Sequence, residues 1–397
     1  MIYSILDYGA PNGMDCPSAI QSALDACFLG GGGTVVIPAG DYITGGIRLR
    51  SNTTLLLEDG AHLMGSMNPD DYCGWRNDAV EPGNPDYLSD LPWLPPSKRN
   101  DPKMTMVPGC RWANGLIRAI DAENIAIIGE GNAVIDGRDC YDSSGEENYR
   151  GPHAIFFSCC ENVLFEGYTA RHSGNFLHEA NNCVNVTMKR VTCLGGSDGI
   201  HLHCSKNTLI EDCLFKTGDD CIAGINVKDL IVRRCILNTS CNLFRIGGVN
   251  IRVQDCYAYG DGYYPHRKTV VKGKNDELPR EQGRHNTLML VDYFANKNYP
   301  EQPSDIHFKD CVFENIHGAL YYLADSSFIQ NGIYLGELTL ENVRFTDLKD
   351  PSMPMATKEN PLKIILKNVS ATYQAPREQK ELFIARENSF VEIIQKD

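Results

Sequence analysis

Apolar and polar positions alternate along most of the chain in short stretches that share one pattern. Each stretch begins with a polar residue and continues with apolar residues at alternating positions, and all but the earliest have Cys, Val or Tyr at the seventh place. Consecutive copies start 23, 22, 22 and 21 residues apart. They begin at Asn162, Asn185, Asn207, Asp229 and Asn250, with further copies at Asn124, Asp305, Glu337 and Lys363. Alternation with a period of two and enrichment in β-branched residues predict strands.

A repeat of nearly constant length predicts a solenoid, in which each coil buries its apolar face against its neighbours. No helical pattern interrupts the copies, so the best fit is an all-β fold, a right-handed parallel β-helix. We predict that residues 1–397 form a single domain of this kind. An antiparallel β-sandwich is the alternative, and it would show more variable spacing.

The open end of a solenoid needs a cap, and residues 17–28 predict a capping helix at the N-terminal end. Asp15 is the expected N-cap residue and Pro17 stands in the first turn. The apolar residues on one helical stripe are Ile20, Ala23, Leu24 and Cys27.

Two long segments, 64–114 and 257–300, are interpreted as inserted loops that form walls beside a cleft. The first holds all three tryptophans, and the second is rich in tyrosine and basic residues. Arg267 and Lys268 in the second segment are candidates for binding an anionic substrate. Walls on both sides would favour exo-action on short oligosaccharides.

The amino-acid composition limits the classes of partner that the protein could bind. The net charge of −14 argues against nucleic acid, and no run approaches the ~20 apolar residues of a membrane span. We therefore expect neither as a partner. No cofactor or metal is expected, and the sequence makes no prediction of the oligomeric state.

The 16 cysteines are interpreted as buried thiols, not disulfides. Some occupy a repeat position that other copies fill with valine, and free cysteine behaves as a small apolar residue. These are Cys213, Cys235, Cys256 and Cys311, against Val191 and Val343. With no signal peptide at the start, free thiols predict a cytoplasmic protein. The protein would be secreted if a signal peptide had been removed.

Three aspartates lie in adjacent repeats. Asp198 lies in a Gly-Ser-Asp-Gly segment, and Asp219 and Asp220 lie in Gly-Asp-Asp-Cys. Asp198 and Asp220 are one period apart, so stacking at about 4.8 Å makes them neighbours. Because close carboxylates repel, at least one should hold a proton near neutral pH. Cleavage of a glycosidic bond needs such an acid together with a carboxylate base.

Measured from the repeat starts, two columns of polar residues accompany these aspartates. We predict that both columns line a sugar-binding cleft. The first column holds Asn175, Asp198, Asp220 and Asn242, and the second holds His178, His201, Ala223 and Arg245.

Several motifs resemble glycoside hydrolase family 28, the polygalacturonases and their relatives. The Asp-Tyr-Gly-Ala of residues 7–10 and the segments 33–40 and 128–137 resemble many pectin-lyase-like β-helices. Ser197-Asp198-Gly199 followed by Gly-Asp-Asp-Cys-Ile-Ala at 218–223 is similar to the more specific Asn-Thr-Asp-Gly and Gly-Asp-Asp motifs. The resemblance implies that Asp219 is the general acid. It also implies that Asp198 and Asp220 activate a water, with inversion at the anomeric carbon.

The chain departs from the family pattern in two places. Asn242 stands where the histidine of the family's Gly-His-Gly motif is expected. The Arg-Ile-Lys motif, which binds the substrate carboxylate, has no match, and Arg245 is the candidate to replace it. These departures predict an altered substrate among pectic or other uronic-acid-containing oligosaccharides.

Two other functions remain open at the sequence level. A polysaccharide lyase or epimerase of the same fold would use the aspartates to hold Ca²⁺. A non-catalytic carbohydrate-binding β-helix is the third possibility, although crowding three carboxylates costs stability.

Overall fold

A computed structural model describes residues 1–10, 16–72, 113–267, 285–295, 303–324, 334–376 and 381–396. Within these segments the chain forms one α-helix, α1 (Pro17–Leu29), and short 3₁₀ turns at Ile5–Tyr8, Pro69–Tyr72 and Glu146–Asn148. All other regular structure in this part of the chain is β.

The strands are short in the first half of the chain and longer in the second. The first fourteen are β1 (Ile2–Ser4), β2 (Gly33–Ile37), β3 (Gly40–Thr44), β4 (Ile47–Leu49), β5 (Thr53–Leu57), β6 (Ala61–Gly65), β7 (Gly115–Ile120), β8 (Glu123–Gly129), β9 (Val134–Asp136), β10 (His153–Ser158), β11 (Glu161–Glu166), β12 (Thr169–Arg171), β13 (His178–Asn181) and β14 (Val184–Lys189). The others are β15 (Thr192–Gly195), β16 (Ile200–His203), β17 (Lys206–Glu211), β18 (Leu214–Thr217), β19 (Ile222–Arg233), β20 (Ile236–Thr239), β21 (Asn242–Gln254), β22 (Tyr257–Tyr259), β23 (Met289–Tyr293), β24 (Ser304–Glu314), β25 (Gly318–Tyr321), β26 (Leu335–Leu348), β27 (Leu362–Tyr373) and β28 (Val391–Lys396).

Parallel pairing arranges these strands in three stacks. The first stack runs from β1 through β2, β5, β8, β11, β14 and β17 to the long strands β19, β21, β24, β26, β27 and β28. The second runs from β3 through β6, β9, β12, β15, β18 and β20 to β22. The third runs from β4 through β7, β10, β13, β16, β19, β21 and β23 to β25. The expected all-β parallel β-helix is confirmed.

The register of the first stack matches the sequence repeat. Val163 pairs with Val186, Val186 with Thr208, and Thr208 with Leu230, so the residues that open each copy lie above one another. These opening residues have positive φ, a conformation that asparagine tolerates better than most residues. Their amides also bond from coil to coil, for example Asn185 Nδ2 to Asn162 Oδ1 at 2.9 Å.

The shared Cys/Val position is an interior one, as predicted. Cys213, Cys235, Cys256 and Cys311 are each at most 3% exposed, and Val191 and Val343 are equally buried. The described residues include 14 cysteines, and all of them are free thiols.

Helix α1 covers the predicted capping segment and buries the predicted stripe of Ile20, Ala23, Leu24 and Cys27. Cys16 occupies the N-cap position, and its Sγ donates to Ile43 O at 3.6 Å instead of capping the helix. Asp15 lies outside the described residues. In the part of the chain that the structure describes, no helix is long and apolar enough to span a membrane.

The predicted loop boundaries need correction. Residues 64–65 belong to β6, and the 257–300 segment contains β22 and β23, which pair with β20 and β21. These residues therefore continue the coils instead of leaving them. Most of the first insertion and half of the second lie outside the described residues, including Trp75, Trp93, Trp112 and Lys268, so the two walls stay a prediction.

Candidate active site

The three aspartates lie on turns that connect the second stack to the third. Asp198 lies between β15 and β16, and Asp219 and Asp220 lie between β18 and β19. Backbone hydrogen bonds join the turns: Gly199 N donates to Asp220 O at 3.0 Å, and Cys221 N donates to Asn242 O at 3.1 Å. The parallel register thus places the turn with Asp198 next to the turn with Asp219 and Asp220 along the stack of coils.

Together the side chains form a compact buried cluster. Carboxylate oxygens of Asp198, Asp219 and Asp220 lie within 4.8 Å of one another, and the three residues are 3%, 7% and 2% exposed. This spacing is shorter than the roughly 6.5–9.5 Å typical of inverting glycosidases. Oxygens this close could also hold a cation, so the cluster alone does not choose between hydrolysis and Ca²⁺-dependent chemistry.

Asp219 differs from its neighbours because two basic side chains contact it. Its Oδ2 lies 3.2 Å from His266 Nε2 and 3.4 Å from Arg150 Nη2. Burial acts to raise the pKa of Asp219, but the hydrogen bonds and charges of His266 and Arg150 hold it below the ordinary value. The negative charge of the cluster therefore rests mainly on Asp219.

Asp220 and Asp198 favour their protonated forms. Burial and the charge of Asp219 raise the pKa of Asp220 to about 7, although Asn242 donates to its Oδ1 from N at 3.1 Å and from Nδ2 at 2.9 Å. Burial, then the charges of Asp219 and Asp220, raise the pKa of Asp198 well above its usual range. Within the described residues, Asp198 Oδ1 has no hydrogen-bond partner.

His266 reaches Asp219 because the segment 261–267 crosses closely over two turns. Arg267 N donates to Gly196 O at 2.8 Å. A Cβ on Gly218 would lie 2.0 Å from Pro265 O, so only glycine lets the segment approach this far. The imidazole thus comes from an insertion, while the sequence position of the family histidine holds Asn242.

Arg267 itself does not face the cleft. Its guanidinium is 4% exposed and donates to Asp139 Oδ1 at 2.7 Å and to the carbonyls of Asp139 and Cys140. The prediction that Arg267 binds substrate was therefore wrong, because its donors hold the segment to a neighbouring turn. Lys268 lies outside the described residues.

The register also corrects the second predicted column. Glu179, not His178, pairs with His201, followed by Ala223 and Arg245. The coil that carries Glu179 has one more residue in its turn than the next coil, and a slip of one residue exchanges the two faces of a strand. His178 is fully buried in the interior, where it bonds Tyr168 Oη at 2.9 Å and Gly199 O at 3.0 Å, so the predicted substrate contact was wrong.

The first column is displaced in the same way. Leu177 N donates to Asp198 O, which places Phe176, not Asn175, level with Asp198. Asn175 still adjoins the site, because its Oδ1 accepts a hydrogen bond from Arg150 Nη1 at 3.2 Å. It therefore acts on the cluster through Arg150.

A second polar cluster adjoins Asp198 on the N-terminal side. His201 Nδ1 lies 3.2 Å from Asp198 Oδ2, and the His201 ring contacts His203 with centroids 4.2 Å apart and ring planes tilted by 32°. Glu179 is completely buried, with Oε1 2.9 Å from His203 Nδ1. Neither nitrogen of His201 nor Glu179 Oε2 has a hydrogen-bond partner among the described residues. All three atoms are buried, so this cluster borders Asp198 from inside the fold.

Arg245 lies on the opposite side of the aspartates. Its side chain is 34% exposed, with Nε 3.7 Å from Asp292 Oδ2 and Cζ 4.8 Å from the centre of the Phe294 ring. An accessible guanidinium held against an aromatic face suits the binding of a carboxylate.

The sequence motifs did not assign four side chains to the site: Arg150, Glu179, His266 and Asp292. Counting residues from the strand pairing instead of from the repeat start would have found Glu179. No local pattern marks the others, since they reach the cluster from irregular segments and a late strand.

Comparison with known proteins agrees with this geometry. The model of glycosyl hydrolases family 28 matches residues 109–246, which contain all three aspartates. A polygalacturonase of Nicotiana tabacum is 22% identical over 347 residues, covering 80% of this chain and 77% of that protein.

Two solved structures share the fold. An exopolygalacturonase of Thermotoga maritima superposes with a TM-score of 0.66 at 18% identity, covering 100% of this chain and 90% of its own. A polygalacturonase of Erwinia carotovora gives 0.65 at 15% identity, covering 97% and 95%.

Proposed function

We propose that the chain is a polygalacturonase-like glycoside hydrolase of family 28, and that it hydrolyses pectic, uronic-acid-containing oligosaccharides at Asp198, Asp219 and Asp220. The observation that carries this proposal is the triad of buried carboxylates within 4.8 Å, each with different partners. Acid and base roles require such a difference between otherwise identical groups.

Asp219, paired with His266, serves as the proton donor. The resting Asp219 is ionised, so the proton that it donates has to reach it first, and His266 Nε2, 3.2 Å from Asp219 Oδ2, is placed to deliver it. As the glycosidic bond breaks, this proton passes through Asp219 to the leaving oxygen, which departs as an alcohol. His266 thereby supports the role that the missing family histidine leaves open.

Asp220 and Asp198 hold the attacking water. Asp220 acts as the base: a pKa raised to about 7 lets it ionise near neutral pH and still take up a proton, and two hydrogen bonds from Asn242 hold its carboxylate in place. Asp198 orients the water, whose proton passes to Asp220 as the oxygen bonds to the anomeric carbon. Attack from the face opposite the leaving group gives inversion. Because the carboxylates are closer than in most inverting enzymes, product stereochemistry is the sharpest test of this step.

Arg245 binds the carboxylate of a uronic acid residue on its side of the aspartates. On the other side, His201 is the candidate to contact a sugar ring, since 13% of its side chain is exposed. Exo-action is proposed from the two long insertions and predicts that viscosity of a pectic polymer falls slowly relative to the release of reducing sugar. A rapid early fall would contradict it.

The catalytic roles are tested first by Asp219→Asn. Loss of a general acid lowers kcat by about 10²–10⁴, so we expect at least a hundredfold loss of kcat in a variant that keeps the β-sheet signal in circular dichroism. Asp255→Asn, at an exposed aspartate, is the matched control and should keep full activity. Activity of Asp219→Asn within tenfold of the parent would sink the assignment.

Substrate and stereochemistry are tested on a panel of pectic and neutral oligosaccharides, with the anomeric proton of the product followed by NMR. We expect a saturated product of inverted configuration, formed equally well with a chelator. An unsaturated product that absorbs in the ultraviolet and is lost with a chelator would favour the lyase. Binding without turnover of any substrate would favour the non-catalytic alternative.

Specificity for uronic acid is tested by Arg245→Gln. A charge-assisted hydrogen bond is worth about 1.5–3 kcal/mol, so KM for acidic oligosaccharides should rise about tenfold to a hundredfold. KM for neutral ones should change little. Arg252→Gln, which removes the guanidinium that contacts Asp305, is the control. An equal rise for both substrate classes would argue against a contact with the carboxylate.

A further inference from the structure

A thiol lies beside the proposed proton donor, and the mechanism does not use it. Cys241 is partly exposed, unlike most cysteines of the described chain. One ligand atom each of Asp219, Cys241 and His266 lies within 4.8 Å of the other two. The three side chains come from separate parts of the chain: the β18–β19 turn, the β20–β21 turn and the segment 261–267.

A thiol, an imidazole and a carboxylate are the donor set of a three-ligand zinc site that leaves a fourth position for water. Tetrahedral bonds of 2.0–2.3 Å put ligand atoms roughly 3.3–3.8 Å apart. His266 Nε2 and Asp219 Oδ2 are already 3.2 Å apart. Small rotations of partly exposed side chains would bring the sulfur to the same spacing.

Some of the surrounding charges favour the binding of a dication at this cluster, and one opposes it. Asp198 and Asp220, each with an oxygen within 4.8 Å of one on Asp219, add negative potential in their ionised forms. Arg150 Nη2, at 3.4 Å from Asp219 Oδ2, opposes the ion. A site with both attractive and repulsive charges nearby suits reversible binding of a metal ion better than permanent binding of a structural one.

We propose that Asp219, Cys241 and His266 bind a thiophilic divalent cation, with Zn²⁺ as the reference ion, and that binding switches hydrolysis off. The ion displaces the proton of the Cys241 thiol to solvent and occupies the oxygen from which Asp219 donates. The switch, though not the binding, rests on the proposed role of Asp219. Softness of the thiolate separates this site from Ca²⁺ coordination by the three aspartates.

Binding is tested on the intact protein with Co²⁺, because a cobalt–thiolate bond gives a charge-transfer absorption band. We expect the band with one Co²⁺ per chain in the parent and in Cys159→Ser, the control at the other partly exposed cysteine. The band should be absent in Cys241→Ser and should vanish from the parent on addition of Zn²⁺. No band in the parent, or an unchanged band in Cys241→Ser, would overturn the site.

Inhibition is tested separately, with each variant scored against its own metal-free activity. Zn²⁺ should inhibit the parent and Cys159→Ser, and a chelator should restore activity, while Ca²⁺ and Mg²⁺ have no such effect. Cys241→Ser should need about tenfold more Zn²⁺ or higher. Equal sensitivity of Cys241→Ser would overturn the switch. The cobalt band does not depend on hydrolysis, so failure of the proposed function leaves the binding result readable.

Discussion

The place of Glu179 in its coil determines the burial and the pKa of its side chain. The residue is fully buried beside His203 and faces the same side as His201. Burial raises the pKa of Glu179 above its ordinary value, and the charge and hydrogen bond of His203 offset part of that rise. A neutral carboxyl group can donate a hydrogen bond inside the fold, which a carboxylate cannot.

The raised pKa makes a prediction about stability. The unfolded chain ionises Glu179 at its ordinary pKa, while the folded protein resists ionisation until higher pH. The free energy of unfolding should therefore fall as pH rises from the ordinary pKa to the folded one. Glu179→Gln removes this loss, so its stability relative to the parent should increase from pH 4 to pH 7.

Denaturant midpoints measured across that range test the effect. Glu161→Gln, at an exposed glutamate, is the control and should follow the parent at every pH. If the denaturant midpoint of Glu179→Gln also follows that of the parent at every pH, burial of a neutral acid does not determine how Glu179 contributes to stability.

At the scale of elements, the site depends on how closely the segment 261–267 packs on the turns below it. Gly196 and Gly218 both lie under Pro265, but with different clearance. A Cβ would lie 3.1 Å from Pro265 O at Gly196 and 2.0 Å at Gly218. Contact between the segment and these turns is what holds His266 against Asp219.

Alanine at these two glycines should therefore have graded effects. Gly218→Ala should push His266 away from Asp219 and lower kcat by about a hundredfold, the cost of a misplacement near 1 Å. Gly196→Ala should cost much less. Both variants should keep the β-sheet signal in circular dichroism. Equal activities, or the reverse order, would show that this packing does not position the imidazole.

At the scale of the whole molecule, the coils are held together by a dry interior without cross-links in the described residues. The twelve buried cysteines among them pack as small apolar side chains. Stability of such a stack comes from each coil covering the next, with α1 covering the N-terminal end.

Thiol titration tests this account of the interior. In the native protein, a thiol reagent should react quickly with Cys159 and Cys241, and slowly with the buried cysteines. After unfolding without reductant, all 16 thiols should titrate. Each disulfide would lower that number by two, and such a deficit would also remove the reason for predicting a reducing compartment.

The sequence by itself determined the coil and the stacking of the aspartates. Alternation within strands and a repeat of about 22 residues are local signals, and one period necessarily brings Asp198 next to Asp220. The tertiary structure alone decided which neighbours complete the site. One extra residue in a turn places Glu179, and not His178, beside His201, because successive side chains of a strand alternate between its two faces. Arg150, 69 residues before Asp219, and His266, from an insertion, reach the cluster through packing between distant segments, which no local pattern encodes.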